Sequence, residues 1–240
     1  MAPCESCHAG CCRSFAVPIH GADIIAIERR YGLSFWDFVC RWADTDGKIA
    51  HGRVPHFFFP DAPDVPFVLC LIQSESLFLS GTMKCRFLVE CPPDADHPFG
   101  QARCGIYGVR PSACRVFPTK LNPSSDLVIL CNIPPSPRED KNPVYDLCPR
   151  EWTVNEIDPI QSMQDLVVTK YEYAYFAEIA RAWNNSPRSW ASFPDFLHLV
   201  YSHRVQRQIR KGEPVAPTEE QEPDASAMEQ NEPALSRAAA

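Results

Sequence analysis

The sequence predicts an α+β fold in which an irregular, cysteine-rich part comes first and two helices follow. Three observations predict it. The twelve cysteines all fall within the first 150 of 240 residues, where prolines interrupt the apolar stretches and so favour short strands. Apolar residues recur at helical spacing in two stretches after residue 158. The 24 prolines against 10 glycines favour rigid loops over the glycine-rich loops that bind phosphates.

Composition divides the chain into three predicted segments: a cysteine-cluster domain at 1–150, a helical extension packing on it at 151–212, and a disordered acidic tail at 213–240. The tail combines repeated Pro and Glu with few large apolar residues, which is typical of disorder. Most of the net charge of −7 lies in it, so the rest is nearly neutral and offers no basic surface for nucleic acid. No apolar run reaches the ~18 residues of a membrane span, so no membrane association is expected.

Capping signals predict two helices near the start of the chain. Asp23 is the candidate N-cap of a helix that continues through Tyr31 and ends at Gly32. Ser34 and Asp37 form a capping-box pattern that predicts a second helix, with an apolar face extending to residue 42.

Residues 54–80 are expected to form short strands, because apolar clusters alternate with prolines there. Turns are expected around Pro60, Pro63 and Pro66. Residues 126–131 are a further strand candidate, and 132–150 are expected to form a proline-rich loop.

The two later helices have clear start signals. Asp158 precedes Pro159 as an N-cap precedes a first-turn proline, which predicts a long helix to about Trp183. Ser192 and Asp195 form a capping-box pattern that predicts a second helix. We interpret this C-terminal helical pair as a hydrophobic platform for the cysteine-rich domain.

Eight of the twelve cysteines fall into four local groups. They are Cys4, Cys7, Cys11 and Cys12, then Cys85, then Cys104 with Cys114, and then Cys148. Four thiols within nine residues differ from packing cysteines, which usually occur singly on an apolar face. Such a cluster can bind one soft cation, because a Zn–S bond is about 2.3 Å long and a site needs about four ligands. The sequence therefore predicts a metal-stapled domain with all eight as ligands.

The expected compartment supports metal ligation. Residues 1–20 lack the basic start and apolar stretch of a secretory signal, so a cytoplasmic location is expected. Cytoplasmic thiols stay reduced, and clustered cysteines there are more often metal ligands than disulfides. Disulfides remain the alternative.

Spacing leaves the division of the thiols among sites open. Cys4 and Cys7 have the spacing that binds one metal from a single turn, whereas adjacent Cys11 and Cys12 should point in different directions and serve different sites or a bridge. Eight thiols suit two tetrahedral sulfur sites, or one iron–sulfur cluster plus other sites. His8, inside the first group, is an alternative ligand.

Neighbouring residues separate ligand cysteines from packing cysteines. Basic residues border several of the predicted ligands and lower thiol pKa values; they are Arg13, Lys84, Arg86, Arg103 and Arg115. The remaining cysteines, Cys40, Cys70, Cys91 and Cys131, are expected to be structural or incidental, and Cys70 is expected to be buried between leucines. Pro111 should restrain the turn between Cys104 and Cys114, while Arg110 and Arg115 are expected to donate to thiolate sulfurs.

The cysteine pattern resembles the YkgJ-type cysteine-cluster family. The resemblance rests on the cysteines of residues 4–12, on residues 17–24 and 32–38, on Cys85-x-Phe-Leu, and above all on the motif of residues 104–118. It covers about residues 4–150 and implies a zinc- or iron-chelating domain. The ligands it implies are Cys4, Cys7, Cys11, Cys12, Cys85, Cys104 and Cys114. Cys148-Pro149 resembles a later family motif, although Arg150 replaces its usual glycine, and residues 90–101 look like an insertion.

The sequence therefore predicts a cytoplasmic protein that chelates zinc or iron, with an iron–sulfur cluster as one form of the iron site. One alternative is an S-adenosylmethionine-dependent lysine N-methyltransferase-like enzyme, because flagellin lysine N-methylase also resembles this family. The chain has no G-x-G-x-x-G after a strand to support that alternative. The other alternative is an iron–sulfur electron-transfer protein. Metal ions are the predicted partners; catalysis, catalytic residues and any protein partner stay open.

Overall fold

The computed structural model describes residues 7–133, 142–147 and 152–210. These residues form helices and small antiparallel sheets, so the α+β class is confirmed. The chain divides into two units, 1–201 and 202–240, and only the end of one helix is described in the second. Cys4, Cys148, the predicted acidic tail and most of the predicted loop at 132–150 lie outside the described residues. The predicted domain boundary at residue 150 stays a prediction.

Three short helices open the described chain: α1 (Cys11–Ser14), α2 (Gly21–Tyr31) and α3 (Phe35–Phe38). The end of α2 at Gly32 is confirmed, because this glycine has the left-handed φ of 64° that closes a helix. Its start differs from the prediction. His20 is the N-cap, and Asp23 is the third helical residue that completes a capping box with it.

The second predicted helix is correct only for its first turn. Ser34 and Asp37 form the expected capping box, but the chain leaves the helix after Phe38 and becomes strand β1 (Val39–Ala43). All five residues of β1 pair with a neighbouring strand. This long-range pairing overrides the local helical pattern. Tertiary contacts of this kind commonly override the secondary structure that local propensity predicts.

The strands form one three-stranded and three two-stranded antiparallel sheets. In the first sheet, β3 (Ala62–Leu71) lies between β1 and β2 (Phe57–Phe59). The small sheets pair β4 (Gln73–Glu75) with β5 (Met83–Cys85), β6 (Leu88–Glu90) with β7 (Ala102–Cys104), and β8 (Thr119–Leu121) with β9 (Val128–Leu130). Strand β9 confirms the prediction at 126–131, whereas β8 was not predicted.

Two of the predicted proline turns are wrong. Pro63 and Pro66 lie inside β3, and only Pro60 lies in a turn. Both strand prolines fall between the Phe57–Phe67 and Phe59–Ala62 pairs, where the register of the β2–β3 ladder shifts. A proline is tolerated at such an irregularity, because its missing N–H removes no regular ladder bond.

A short helix, α4 (Ser112–Arg115), precedes the two later helices, α5 (Pro159–Asn184) and α6 (Phe193–Arg210). The predicted start of α5 is confirmed, because the Asp158 side chain accepts hydrogen bonds from the backbone N–H groups of Ile160 and Gln161. Within the described residues, no helix is both long and apolar enough to cross a membrane.

The main core is an aromatic cluster between the three-stranded sheet, α5 and the start of α6. The rings at its centre are those of Phe57 and Phe59 of β2, Phe176 and Trp183 of α5, and Phe193 of α6, and all five residues are buried. Their rings meet at centroid distances from 4.9 Å, between Trp183 and Phe193, to 5.9 Å, between Phe59 and Phe193. Aromatic pairs in this range attract one another beyond their burial of apolar surface. Cys85 belongs to this core, and Cys12, Cys104 and Cys114 pack against it.

The end of α5 is also tied to the edge strand β2 by polar groups. Asn184 accepts a hydrogen bond from the Phe58 N–H at 3.0 Å and donates one to the His56 carbonyl at 2.9 Å. The indole N–H of Trp183 donates to the Phe58 carbonyl at 2.9 Å. Side chains of α5 therefore satisfy backbone groups at the open edge of the sheet.

We expect Asn184→Ala to lower the free energy of unfolding by about 1–3 kcal/mol, because it removes the side-chain partner of the Phe58 N–H in β2 and of the His56 carbonyl just before β2. The matched control is Asn185→Ala, since Asn185 is the exposed neighbouring residue and its substitution should change stability by less than about 0.5 kcal/mol. Urea unfolding followed by tryptophan fluorescence measures both. Equal effects of the two substitutions would contradict the bridging role of Asn184.

Candidate functional site

Five of the predicted ligands come together in the structure. Their thiols are close enough for each to change the ionisation of others in the set, and we call them the thiol group: Cys11, Cys12, Cys85, Cys104 and Cys114. They come from four elements, namely α1, β5, β7 and α4 (Ser112–Arg115). Residues far apart in the chain therefore converge on one region at the border of the aromatic core.

Cys11 and Cys12 interact directly. A side-chain hydrogen bond with Cys12 lowers the pKa of Cys11 to about 7, and the same bond raises the pKa of Cys12. Burial raises the pKa of Cys12 further. The two thiols therefore influence each other's ionisation, and their assignment to different sites or to a bridge stays a prediction.

Burial and mutual repulsion hold the other three thiols protonated. Burial raises the pKa of Cys85 to about 11, and it also raises the pKa values of Cys104 and Cys114. Neighbouring thiols raise each of the three further, since a second thiolate nearby would repel the first. The same charge repulsion favours a cation among them, because a bound cation stabilises thiolates that otherwise disfavour one another.

The other three predicted ligands, Cys4, Cys7 and Cys148, are not part of the thiol group. Cys7 is joined to β7 through its carbonyl, which accepts the Ala102 N–H at 3.0 Å, and its sulfur accepts the Ala9 N–H at 3.3 Å. Cys4 and Cys148 lie outside the described residues. Across residues 7–133, 142–147 and 152–210, no three His, Cys, Asp or Glu side chains stand in the arrangement of a metal site.

His8, the alternative ligand, is engaged by the backbone. Its Nε2 lies 3.1 Å from the Asp146 carbonyl oxygen, and its ring lies 5.7 Å from that of Phe99. Burial lowers the pKa of His8. These contacts favour a role in docking residues 142–147 onto the start of the chain.

Two of the four predicted packing cysteines, Cys40 and Cys70, lie in β1 and β3. Cys70 is fully buried, as predicted, and faces Cys40 across the β1–β3 ladder. Burial raises the pKa of Cys40 to about 11 and that of Cys70 still higher. Cys91 is exposed, and Cys131 is half-buried after β9.

A buried ion cluster, formed by Arg13, Lys84 and Glu90, lies beside the thiol group. Arg13 Nη2 is 2.6 Å from Glu90 Oε1, and Lys84 Nζ is 3.0 Å from Glu90 Oε2. The three side chains are 1%, 9% and 1% exposed, respectively. Since Arg13 follows Cys12 and Lys84 precedes Cys85, the ion cluster links α1 and β5 through Glu90 at the end of β6.

Glu90 has further donors that keep it ionised. Its carboxylate accepts hydrogen bonds from the Ser76 hydroxyl at 2.6 Å and from the Leu77 N–H at 3.0 Å. Burial alone would raise its pKa, but the four donors together lower that pKa to about 2. The sequence did not identify Glu90, which the resemblance assigned to an insertion.

A second polar network joins α2 to α4. The Ser112 N–H donates to Asp23 Oδ1 at 3.0 Å, and the Ser112 hydroxyl lies 3.3 Å from Asp23 Oδ2 and 2.9 Å from His20 Nε2. All three residues are buried. We call His20, Asp23 and Ser112 the Asp23 network.

The Asp23 network is not a hydrolytic triad, despite its residue types. In such a triad, the histidine Nδ1–H donates to the aspartate and Nε2 is free to take the serine proton. Here Nδ1 of His20 accepts the Asp23 N–H at 3.2 Å, so Nε2 of the neutral ring carries the hydrogen. Burial lowers the pKa of His20, which keeps the ring neutral. Ser112 is also fully buried, so no substrate reaches its hydroxyl.

The two predicted sulfur donors differ in their surroundings. Arg110 lies with its Cζ 4.4 Å from the centre of the Tyr107 ring, and its charge lowers the pKa values of Cys11 and Cys104. Arg115 Nε lies 3.7 Å from Asp165 Oδ1 of α5. Arg110 is therefore the arginine whose charge acts on the thiol group most directly.

Comparison of the chain with family models, with curated proteins and with solved structures found no match.

We expect Glu90→Gln to lower the free energy of unfolding by about 3–5 kcal/mol, because it leaves the buried cations Arg13 and Lys84 without their counter-charge. The folded pKa of Glu90 lies below its ordinary value of 4.5, so its contribution is fully present above about pH 5 and is lost as the pH falls toward 2. The difference between wild type and variant should shrink over that range in denaturant titrations.

The matched control for this prediction is Glu178→Gln, which removes an exposed ion pair with Arg181 and should cost less than about 1 kcal/mol. A difference between wild type and Glu90→Gln that stays constant from pH 5 to pH 2 would contradict the ionised state of Glu90.

Proposed function

We propose that this protein is a cytoplasmic metal-binding protein that chelates zinc or iron through the thiol group. The observation that carries the proposal is the convergence of five cysteines from four separate elements. Packing cysteines have no reason to converge in this way, and the two structural cysteines of the β1–β3 ladder lie elsewhere.

The donor set fits the proposed metals. It consists of sulfur, which zinc, iron and iron–sulfur clusters take as thiolate. A bound cation would supply the positive charge that the thiols need in order to lose their protons together. The chain contributes further positive charge through Arg110 and through the ion cluster, which holds two cations against one carboxylate.

Cys4, Cys7 and Cys148 complete the proposed ligand set of eight. Eight thiolates suit two tetrahedral sulfur sites, or one iron–sulfur cluster with further ligation. The resemblance of residues 4–150 to the YkgJ-type family supports this proposal. In the same proposal, metal staples the cysteine-rich part, and the helical pair of α5 and α6 is the platform on which that part packs.

The experiment that tests the proposal is anaerobic purification of the full chain, followed by metal analysis and an absorption spectrum. We expect at least one zinc or iron per chain. Visible absorption with acid-labile sulfide would identify an iron–sulfur cluster, and a colourless zinc protein would identify zinc–thiolate sites. A folded, fully reduced protein that binds neither metal on reconstitution would overturn the proposal.

Single substitutions should separate ligand from packing cysteines. We expect Cys104→Ser to lower the metal-to-protein ratio, because a hydroxyl is a poor ligand for a soft metal. Cys70→Ala should leave that ratio unchanged and cost about 1 kcal/mol of stability through a small cavity. Elemental analysis with circular dichroism measures both effects. Equal metal loss from the two folded variants would refute the assignment.

Removing the metal should loosen one part of the fold more than the other. Structural metal sites contribute on the order of 10 kcal/mol to folding in small domains. After chelation under reducing conditions, we expect hydrogen exchange to increase in α1, β5, β7 and α4. The aromatic core of β2 and α5 should remain protected, because apolar burial holds it. Unchanged exchange in the four thiol-bearing elements after verified metal removal would contradict the proposal that metal staples this region.

A further inference from the structure

We propose that Asp23 is the positioning residue for Cys114: one buried carboxylate caps the N-termini of both α2 and α4, and thereby holds Cys114 in the thiol group. The positional claim stands on the structure of the reduced chain, and its consequence for metal binding rests on the proposed function.

Asp23 first stabilises its own helix. Its Oδ2 accepts the His20 N–H at 3.3 Å, while His20 Nδ1 accepts the Asp23 N–H at 3.2 Å. This reciprocal pair is a capping box that satisfies two backbone donors at the start of α2. These bonds also hold the carboxylate in place at the start of α2.

The same carboxylate also caps α4, which has only four residues and begins after Pro111, a residue without a capping side chain. Asp23 Oδ1 accepts the Ser112 N–H at 3.0 Å across 89 residues of chain. A carboxylate at a helix N-terminus satisfies an unpaired N–H and favours the helix dipole. One side chain therefore supplies the starts of two helices with an acceptor.

Two further contacts make this junction rigid. The Ser112 hydroxyl bridges Asp23 Oδ2 at 3.3 Å and His20 Nε2 at 2.9 Å. The ring of Tyr173 from α5 packs edge-on against His20 with centroids 5.2 Å apart. Ser112 is fully buried and Asp23 is 5% exposed, so water does not substitute for these bonds at low cost.

Cys114 depends on this junction because it lies in the same helical turn as Ser112. Its own N–H donates to the Pro111 carbonyl at 2.8 Å, so its position follows the start of α4. The Asp23 carboxylate lies within electrostatic reach of its thiol. The other thiol-bearing elements have separate anchors, since the ion cluster holds α1 and β5, and β7 pairs with β6. Loss of Asp23 should therefore release Cys114 selectively.

The decisive experiment measures iodoacetamide alkylation of each cysteine in the reduced, metal-free full chain by peptide mass spectrometry. In Asp23→Asn, we expect Cys114 to react about tenfold faster than in wild type, because α4 loses its capping acceptor. The lost negative charge also favours the Cys114 thiolate, so the variant that keeps the carboxylate, Ser112→Ala, isolates the effect of position. The alkylation rate of Cys70 reports global unfolding and should not change. Ser112→Ala keeps the N–H bond to Asp23 and loses the hydroxyl contacts, so we expect an increase of about threefold.

The matched control is Asp37→Asn, because Asp37 forms the same capping box with Ser34 at α3 but makes no bond to α4. It should leave the alkylation rate of Cys114 unchanged. An unchanged rate for Cys114 in a folded Asp23→Asn chain would overturn the proposal. If Asp23→Asn unfolds and Cys70 becomes reactive as well, Ser112→Ala decides in its place, and an unchanged rate of Cys114 there would overturn it.

Cobalt substitution connects the positional claim to metal binding. The sulfur-to-cobalt charge-transfer absorption per bound Co²⁺ should fall in Asp23→Asn by about the share of one thiolate, and it should not fall in Asp37→Asn. Failure of the wild-type chain to bind Co²⁺ would count against the proposed function alone, because the alkylation rates test the positioning role without metal.

Discussion

The arrangement of the thiols depends on the buried ion cluster of Arg13, Lys84 and Glu90. Removing a carboxylate and two cations from water is costly, and only close pairing with further hydrogen bonds offsets that cost. Glu90 meets this requirement with two ion pairs and two additional donors. The cluster leaves one net positive charge next to the sulfurs of α1 and β5. It therefore joins these elements and also opposes the negative charge that thiolates would bring.

The parts of the fold that the sequence predicts well are those with local causes. The start of α5 follows from Asp158 and the proline after it, and the end of α2 follows from a glycine that adopts a left-handed conformation. The change from α3 to β1 has no local cause, because the residues of β1 acquire their strand geometry from pairing with β3. Pro63 and Pro66 do not end β3, because they lie where the register of its ladder with β2 shifts, and this irregularity depends on a partner strand.

The candidate site also combines features that have local causes in the sequence with features that depend on long-range contacts. Cysteine spacing and the basic residues beside the cysteines identify the five residues that gather, because that chemistry is written in local motifs. The side chains that hold them are separated from their partners by long stretches of chain: 77 residues between Arg13 and Glu90, and 89 between Asp23 and Ser112. A single glutamate in a strand and a single serine after a proline carry no pattern that distinguishes them from surface residues.

Asp23 and Asp37 show that two residues with the same local sequence pattern can have different roles, which only the three-dimensional structure distinguishes. Both are the fourth residue of a capping box, and in sequence both indicate only the start of a helix. Asp37 is half-buried and its carboxylate bonds to Ser34 of its own turn, whereas Asp23 is buried and its carboxylate bonds to a second helix as well. The elements that carry the thiols have three or four residues each and bury too little apolar surface to fix their own positions. Buried polar groups therefore determine where the sulfurs lie, and the aromatic core supplies the stability that lets these polar groups remain buried.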